Sequence, residues 1–339
     1  MNLKEFASHL GLSQTTVSRA LSGYPEVRTE TRERVMRAAR ELGYRPNTAA
    51  LGLATGRAGA IGIVLRGAGF GPHATEFLGG LGGRLQAEDI DMLISTVESE
   101  EAELSIYRRL AASKRVDGFV LHSPRLGDPR VALLEELGLP FIVHGRPEQP
   151  GGCSWVDIDN RGATRQATRL LIDFGHRRIA LLNGHRGMIF AEHRHEGYCE
   201  ALGDAGIAID PSLTGNGDFT DEMGFRLTQS FLAGANPPTA IIAGSMMSAL
   251  GAMRAIRVAG LTAGEDVSLI AHDDVFAYLS PENLIPTLTT TRSSIRAAGT
   301  RIAELLLQRM KGRPAEDLRE VWPVELVIRR STGQPRVKG

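Results

Sequence analysis

Residues 12–21 read LSQTTVSRAL, which sets Ser13, Gln14, Thr15, Thr16, Ser18 and Arg19 among apolar positions of helical spacing. Hydroxyl side chains compete with the backbone for hydrogen bonds and are indifferent helix formers. A short helix carrying so many shows water a dense row of small donors and acceptors. That chemistry suits the edges of base pairs. A Gln amide matches adenine, an Arg fork matches guanine and a Thr methyl packs on a thymine methyl, so Gln14, Thr15 and Arg19 are the candidate base readers. Ser13, Thr16 and Ser18, with backbone N–H groups at the helix start, suit phosphate oxygens and would set the register on a duplex.

Positioning those groups takes a partner helix at a fixed angle. Ala7, Gly11 and Val17 stand at the spacing of a helix-turn-helix: a small residue for close approach, a glycine for the left-handed turn, a β-branched residue to lock the pair. Asn2 with Glu5 three residues on predicts a capping box for the first helix, and Ser13 caps the second. A third helix is expected from Thr29 to Leu42, stopped by Gly43, with Pro46 as punctuation. Residues 1–46 thus form a three-helix head. Residues 47–57, NTAALGLATGR, form a short apolar, glycine-containing stretch between the head and residues 58–339.

The formal net charge of zero hides an asymmetry. Residues 1–57 hold nine Lys or Arg against five Glu, a charge of +4, and the remainder carries −4. A basic head on an acidic body points to a polyanionic partner for the head alone. No apolar run reaches the roughly 20 residues of a membrane span, and the N-terminus lacks a signal-peptide core, so a cytoplasmic protein is expected. Cys153 and Cys199 have no metal-ligand or disulfide spacing and read as reduced thiols.

From residue 60 short β-branched runs alternate with amphipathic stretches. Strands are expected at 60–65, 91–96, 116–123, 139–145, 178–184, 239–244 and 267–274, with helical stretches at 75–88, 101–114, 161–174, 194–206, 246–259 and 293–311. The fold class is α/β: a helix-turn-helix head, then a core of parallel sheets covered by helices on both faces. Ligands in such cores lie at the carboxyl ends of strands, which nominates Arg66, His122, His144 and Asp273. RGAGFG at 66–71 fails as a dinucleotide loop because Pro72 stands where the third glycine belongs. Neither a phosphate loop, a nucleophile elbow nor a metal-binding histidine motif is present in the sequence. No metal and no cofactor are expected.

TTVSRAL with VRTETRERVMRAARELGYRPN, then DNRGATRQATRLLIDFGHRRIALLNG, RHEGYCEALGDAGI and GLTAGEDVSLIAHDD resemble the lac/gal repressor (LacI) family of bacterial transcription regulators. The segment AHDDVFAYLSPENLIPTLTTTRSSIRAAG leans toward the branch regulating α-glucosides. The resemblance implies that the core is two-lobed, like a periplasmic binding protein, and that residues 47–57 fold into a hinge helix on operator DNA. There Asn47 touches DNA and Leu53 wedges into the minor groove; a plain linker in which Leu53 only packs is the alternative. Leu51 departs from the usual polar residue of that hinge. The resemblance further implies that Arg194, Phe219 and Asp273 grip a small-molecule effector, a sugar, between the lobes. In the place of the family's usual Asn-Asp stand Gly244 and Ser245, which leaves the Ser245 hydroxyl as the candidate contact. The alternative is that Arg194 and Asp273 pair with one another.

Lobe boundaries are expected near 58–157 with 290–320, and 158–289 with 321–331. The implied partners are double-stranded operator DNA, a sugar effector and a second copy of the chain; the last residues, STGQPRVKG, lack an apolar heptad tail, so a homodimer is expected. Asp159 and Asn160 read as a helix cap. A sugar-modifying enzyme with a DNA-binding head is the rival from another class, and it would need an acid/base pair in the cleft.

Overall fold

The structure is a computed structural model and describes residues 1–21, 23–44, 57–67, 71–149, 151–273 and 275–336. Asn47, Leu51 and Leu53 lie outside them, so the hinge expectation concerns residues beyond this description. The chain forms two compact units, Met1–Gly59 and Ala60–Gly339.

The first unit holds α1 (Leu3–Leu10), α2 (Gln14–Leu21) and α3 (Thr29–Glu41). The Asn2–Glu5 capping box is formed in both directions, and Gly11 adopts the left-handed φ of 62° that ends α1. Phe6, Ala7, Leu10, Val17, Ala20, Val27, Val35 and Tyr44 are the buried centre. Phe6 stacks on Tyr44 with ring centroids 4.2 Å apart. Arg34 donates to the Leu10 carbonyl at 2.6 Å and Arg32 to the Tyr24 carbonyl at 2.7 Å. Two of the head's arginines therefore satisfy main-chain carbonyls and are not simply a solvated charge.

The second unit contains two sheets. In the first, β1 (Ala60–Arg66), β2 (Asp91–Val97), β3 (Gly118–His122), β4 (Phe141–His144), β5 (Ser154–Ile158) and β11 (Arg319–Trp322) run in the order β11-β5-β4-β3-β1-β2, all parallel. The second has β6 (Ile179–Asn183), β7 (Thr214–Asn216), β8 (Ala240–Ala243), β9 (Ser268–Asp273), β10 (Thr289–Arg292) and β12 (Glu325–Val327) in the order β12-β10-β9-β8-β6-β7. Only β12 is antiparallel among these described strands. The chain exchanges lobes at 158–160, 292–295 and 322–325. Because β10 stays in the second sheet and β11 in the first, the last two exchanges fall a few residues later than the sequence suggests.

Apolar residues cover both faces of each sheet, as parallel strands require. On the first sheet α4 (Pro72–Gln86) and α11 (Ile295–Met310) bury Phe77, Leu81, Ile302 and Leu306, while α5 (Glu100–Ala112) and α6 (Pro129–Leu137) bury Tyr107, Leu110 and Leu134 on the opposite side. On the second, α9 (Asp221–Leu232) and α10 (Met246–Val258) cover one face, and α7 (Asn160–Asp173) with α8 (Ile189–Asp204) the other. Backbone meets backbone where these pairs touch. A Cβ added to Gly80 would stand 2.0 Å from the Arg296 carbonyl oxygen, and one added to Gly197 would stand 2.1 Å from that of Arg161.

Candidate functional site

On α2, Ser13 Oγ accepts from the Thr16 N–H at 3.0 Å and lies 2.8 Å from Thr16 Oγ1, so both hydroxyls help start the helix. Val17 and Ala20 face inward and are buried. Gln14, Thr15 and Arg19 are exposed, with Thr16 and Ser18 half-buried beside them. The inward face is therefore used for packing, while the outward one carries the amide, hydroxyl and guanidinium groups singled out as base readers.

In the second unit a cavity of about 300 Å³ opens at the carboxyl ends of the strands of both lobes. That volume is at the lower end of the range for small-molecule sites. His122, His144, Arg194 and Phe219 all line it. Arg66, Ser245 and Asp273 do not, and each has a physical reason. Arg66 reaches away toward Glu100 at 3.7 Å. Ser245 is fully buried as the cap of α10, accepting from the Ser248 N–H at 3.1 Å. Asp273 accepts from the Val275 N–H at 2.8 Å and lies 3.6 Å from Arg292, holding the backbone of Val275 at a φ of 59° that a β-branched residue seldom adopts.

Arg194 is 7 % exposed and is fastened on two sides: Nε donates to Asn160 Oδ1 and Nη1 to the Gly244 carbonyl, both at 2.7 Å. Its guanidinium carbon lies 5.3 Å from the Phe190 ring centroid and 5.8 Å from that of Phe219. A cation over an aromatic face is attractive, and the two rings leave an apolar wall beside a fixed donor fork. Gly244 serves this arrangement through its missing side chain, since a Cβ there would meet Phe219 at 2.8 Å and the Leu182 carbonyl at 2.9 Å. Glycine at this position thus makes room for the aromatic wall, while its main-chain carbonyl accepts from Arg194.

The first lobe supplies the other polar wall. His122 and His144 are register partners on β3 and β4, and their Nδ1 atoms lie 2.9 Å apart. His144 stacks on Phe77 at 4.4 Å. Burial holds the His122 imidazole well below its ordinary titration range, helped by His144, Arg130 and His73. Beneath them Arg130, paired with Asp128 at 2.6 Å and Glu103 at 2.8 Å, donates to the His122 and Ser123 carbonyls and so anchors the end of β3.

Sequence reading missed Asp157, Asn160, Arg146, Phe190 and His73, all of which line the cavity. Asn160 was expected only as a cap. Asp159 does cap α7, accepting from the Gly162 N–H at 2.8 Å, but Asn160 bridges Asp157 and Arg194 by donating at 3.2 Å and accepting at 2.7 Å. Phe190 was legible, because it precedes Arg194 by four residues on one helix face. Asp157 would have followed from the strand-end rule had SWVDI been read as a strand.

Comparison with known proteins agrees with this architecture. The model of bacterial regulatory proteins of the lacI family matches residues 2–47, and that of a periplasmic binding protein-like domain matches 168–332. The chain is 48 % identical over 337 residues to the HTH-type transcriptional regulator AglR of Rhizobium meliloti (strain 1021), covering 98 % of this chain and 94 % of that protein. It is 35 % identical over 334 residues to the HTH-type transcriptional regulator RafR of Escherichia coli, covering 95 % and 96 %. Among solved structures, the complex of the transcriptional regulator CelR with cellobiose is 33 % identical with a TM-score of 0.73, covering 98 % of this chain and 99 % of that one. The lac repressor dimer bound to operator and the anti-inducer ONPF is 27 % identical with a TM-score of 0.84, over 98 % and 99 %. Matched in its head and through its core at these identities, the chain belongs to the lacI family of bacterial regulatory proteins.

Proposed function

We propose that this protein is a transcription regulator, a repressor, whose head reads double-stranded operator DNA and whose core binds a neutral sugar between its lobes. Ligand occupancy changes operator affinity because it favours one arrangement of the lobes over another. The observation that carries the ligand reading is Arg194, a buried guanidinium fastened to Asn160 and Gly244 against the rings of Phe190 and Phe219. A fixed donor fork beside aromatic faces is suited to hydroxyls on one side and ring C–H groups on the other. The lining carries both signs of charge, Arg146 and Arg194 against Asp157 and Asp218, which favours an uncharged polyhydroxyl over a sugar phosphate. Within that class, α-glucosides are the branch to which the sequence leans, and the CelR relative was solved with a disaccharide.

A binding role is favoured over catalysis by the regulatory names of the relatives and by the engagement of the cavity histidines with one another. A homodimer in the cytoplasm is the matching assembly, in line with the lac repressor dimer on operator. Among the described residues no helix is long and apolar enough to cross a membrane. The deciding experiment is a thermal-shift screen of neutral mono- and disaccharides on the purified chain, followed by DNA binding with and without each hit. A saccharide that raises the melting temperature and changes affinity for a selected duplex supports the reading. Selection of no preferred duplex from a random pool, with or without saccharides, overturns it.

A further inference from the structure

Asp157 and Arg146 form an unusual pair in the first-lobe wall. Asp157 is the penultimate residue of β5 and is 6 % exposed. Its Oδ1 is satisfied by the Ile158 N–H at 2.9 Å and by Asn160 Nδ2 at 3.2 Å. Its Oδ2 is buried with no hydrogen-bond partner, and Arg146 Nε is likewise buried with none. The two atoms face each other at 3.6 Å, within reach of charge attraction and beyond hydrogen-bond distance. Arg146 is held there by its guanidinium lying 5.4 Å from the centroid of the Trp155 ring. A buried acceptor and a buried donor left unmade are each costly, and both residues line the cavity.

One chemical group satisfies both atoms at once. A hydroxyl donates its hydrogen and accepts on its lone pairs, whereas a carbonyl only accepts and an ammonium only donates. We propose that Asp157 and Arg146 are the hydroxyl-selecting pair of this cavity: one hydroxyl of the sugar inserts between them, donating to Asp157 Oδ2 and accepting from Arg146 Nε. The proposal rests on the sugar-binding reading above and names the contact that sets its selectivity. Insertion needs a small outward movement of the Arg146 side chain, which is 39 % exposed and gives way at the cost of part of its contact with Trp155. The contact is transmitted further, since Asp157 Oδ1 holds Asn160 and Asn160 holds Arg194. A hydroxyl seated in the first lobe is thereby linked through two side chains, Asp157 and Asn160, to the donor fork of the second.

The test is calorimetric titration of the full chain with the best saccharide from the screen and with its monodeoxy derivatives. In the wild type, one deoxy derivative is expected to bind about 10- to 100-fold more weakly, the range for a lost hydrogen bond to a charged group. Asp157→Asn is expected to lose a similar factor for the parent sugar and to lose nothing further for that one derivative, while the other derivatives lose alike in both proteins. Arg146→Gln, altered near the surface, is the second variant should Asp157→Asn fail to fold, and the same pattern is expected of it. Variant affinities within about twofold of wild type overturn the pair, as do deoxy losses that simply add to the substitution. Failure of the wild type to bind any neutral saccharide overturns the sugar reading itself and this contact with it, an outcome distinct from normal binding that ignores Asp157.

Discussion

His122 Nδ1 and His144 Nδ1 face each other at 2.9 Å across neighbouring parallel strands. One nitrogen must donate and the other accept, so the bond exists only while at least one ring is neutral. Burial, His144, Arg130 and His73 all oppose a proton on His122. Its folded titration therefore lies below the unfolded value of 6.5, and the unfolded chain takes up protons first on acidification. Stability conferred by the neutral ring is complete above about pH 6.5 and is lost as the pH falls below it, at no more than about 1.4 kcal/mol per pH unit for each such histidine. His176, also lowered by burial, adds in the same direction. The melting temperature of the core is expected to fall between pH 7.5 and pH 5.5 and to fall less in His122→Gln; an equal drop in both proteins would contradict the assignment.

Arg19 is exposed on the outward face of α2 beside Gln14 and Thr15. Arg19→Ala is expected to weaken binding to the selected duplex by about 1–3 kcal/mol and to leave binding to random DNA largely intact. Competition titrations at fixed salt check this. Equal weakening on both duplexes would reduce Arg19 to a phosphate contact.

Arg194 is braced by Asn160 and Gly244, and a lysine cannot reproduce both bonds from a planar fork. Arg194→Lys is expected to bind the saccharide about 2–4 kcal/mol more weakly, with DNA binding in its absence retained. Isothermal titration and operator binding on the same preparation report the two effects separately. Full retention of ligand affinity would remove Arg194 from the site.

Two glycines of α4 should respond in opposite directions. A Cβ on Gly80 would collide with the Arg296 carbonyl oxygen at 2.0 Å on α11, whereas Gly83 meets nothing within 4 Å. Gly80→Ala is expected to cost the core about 1–3 kcal/mol by forcing the helices apart. Gly83→Ala is expected to add up to about 1 kcal/mol through helix propensity. Denaturant unfolding of both variants measures the contrast, and two changes of the same sign would mean that α4 and α11 are not packed as described.

Local signals were strong where a chemical rule acts over a few residues. The Asn2–Glu5 box, the Gly11 turn, the inward Val17 and the outward Gln14, Thr15 and Arg19 all depend on neighbours three or four positions apart, so they were legible in the head. In the core the apolar strands AIGIVL, VDGFVLHS, LPFIVHG and VSLIAHDD announced themselves because both faces are buried. The strands SWVDI, TGN, TTTR, REVW and ELV did not, being short, polar or at sheet edges. The helices α6 and α9 also went unread.

The amino-acid order by itself determined the helix-turn-helix head, the strand–helix alternation and the carboxyl-end location of His122 and His144, since each follows from periodicity or adjacency. Which polar groups converge was decided only by the folded chain. Asp157, Asn160, Arg194 and Gly244 are separated by up to 87 positions in sequence, yet they form one hydrogen-bonded line because the first crossing between the sheets, at 158–160, brings the end of β5 to the helix and strand ends of the second lobe. Ser245 and Asp273 were drawn away by the needs of a helix start and a strained loop. A buried polar atom takes whichever partner the packing brings nearest, and that partner is set by long-range topology that no local pattern encodes.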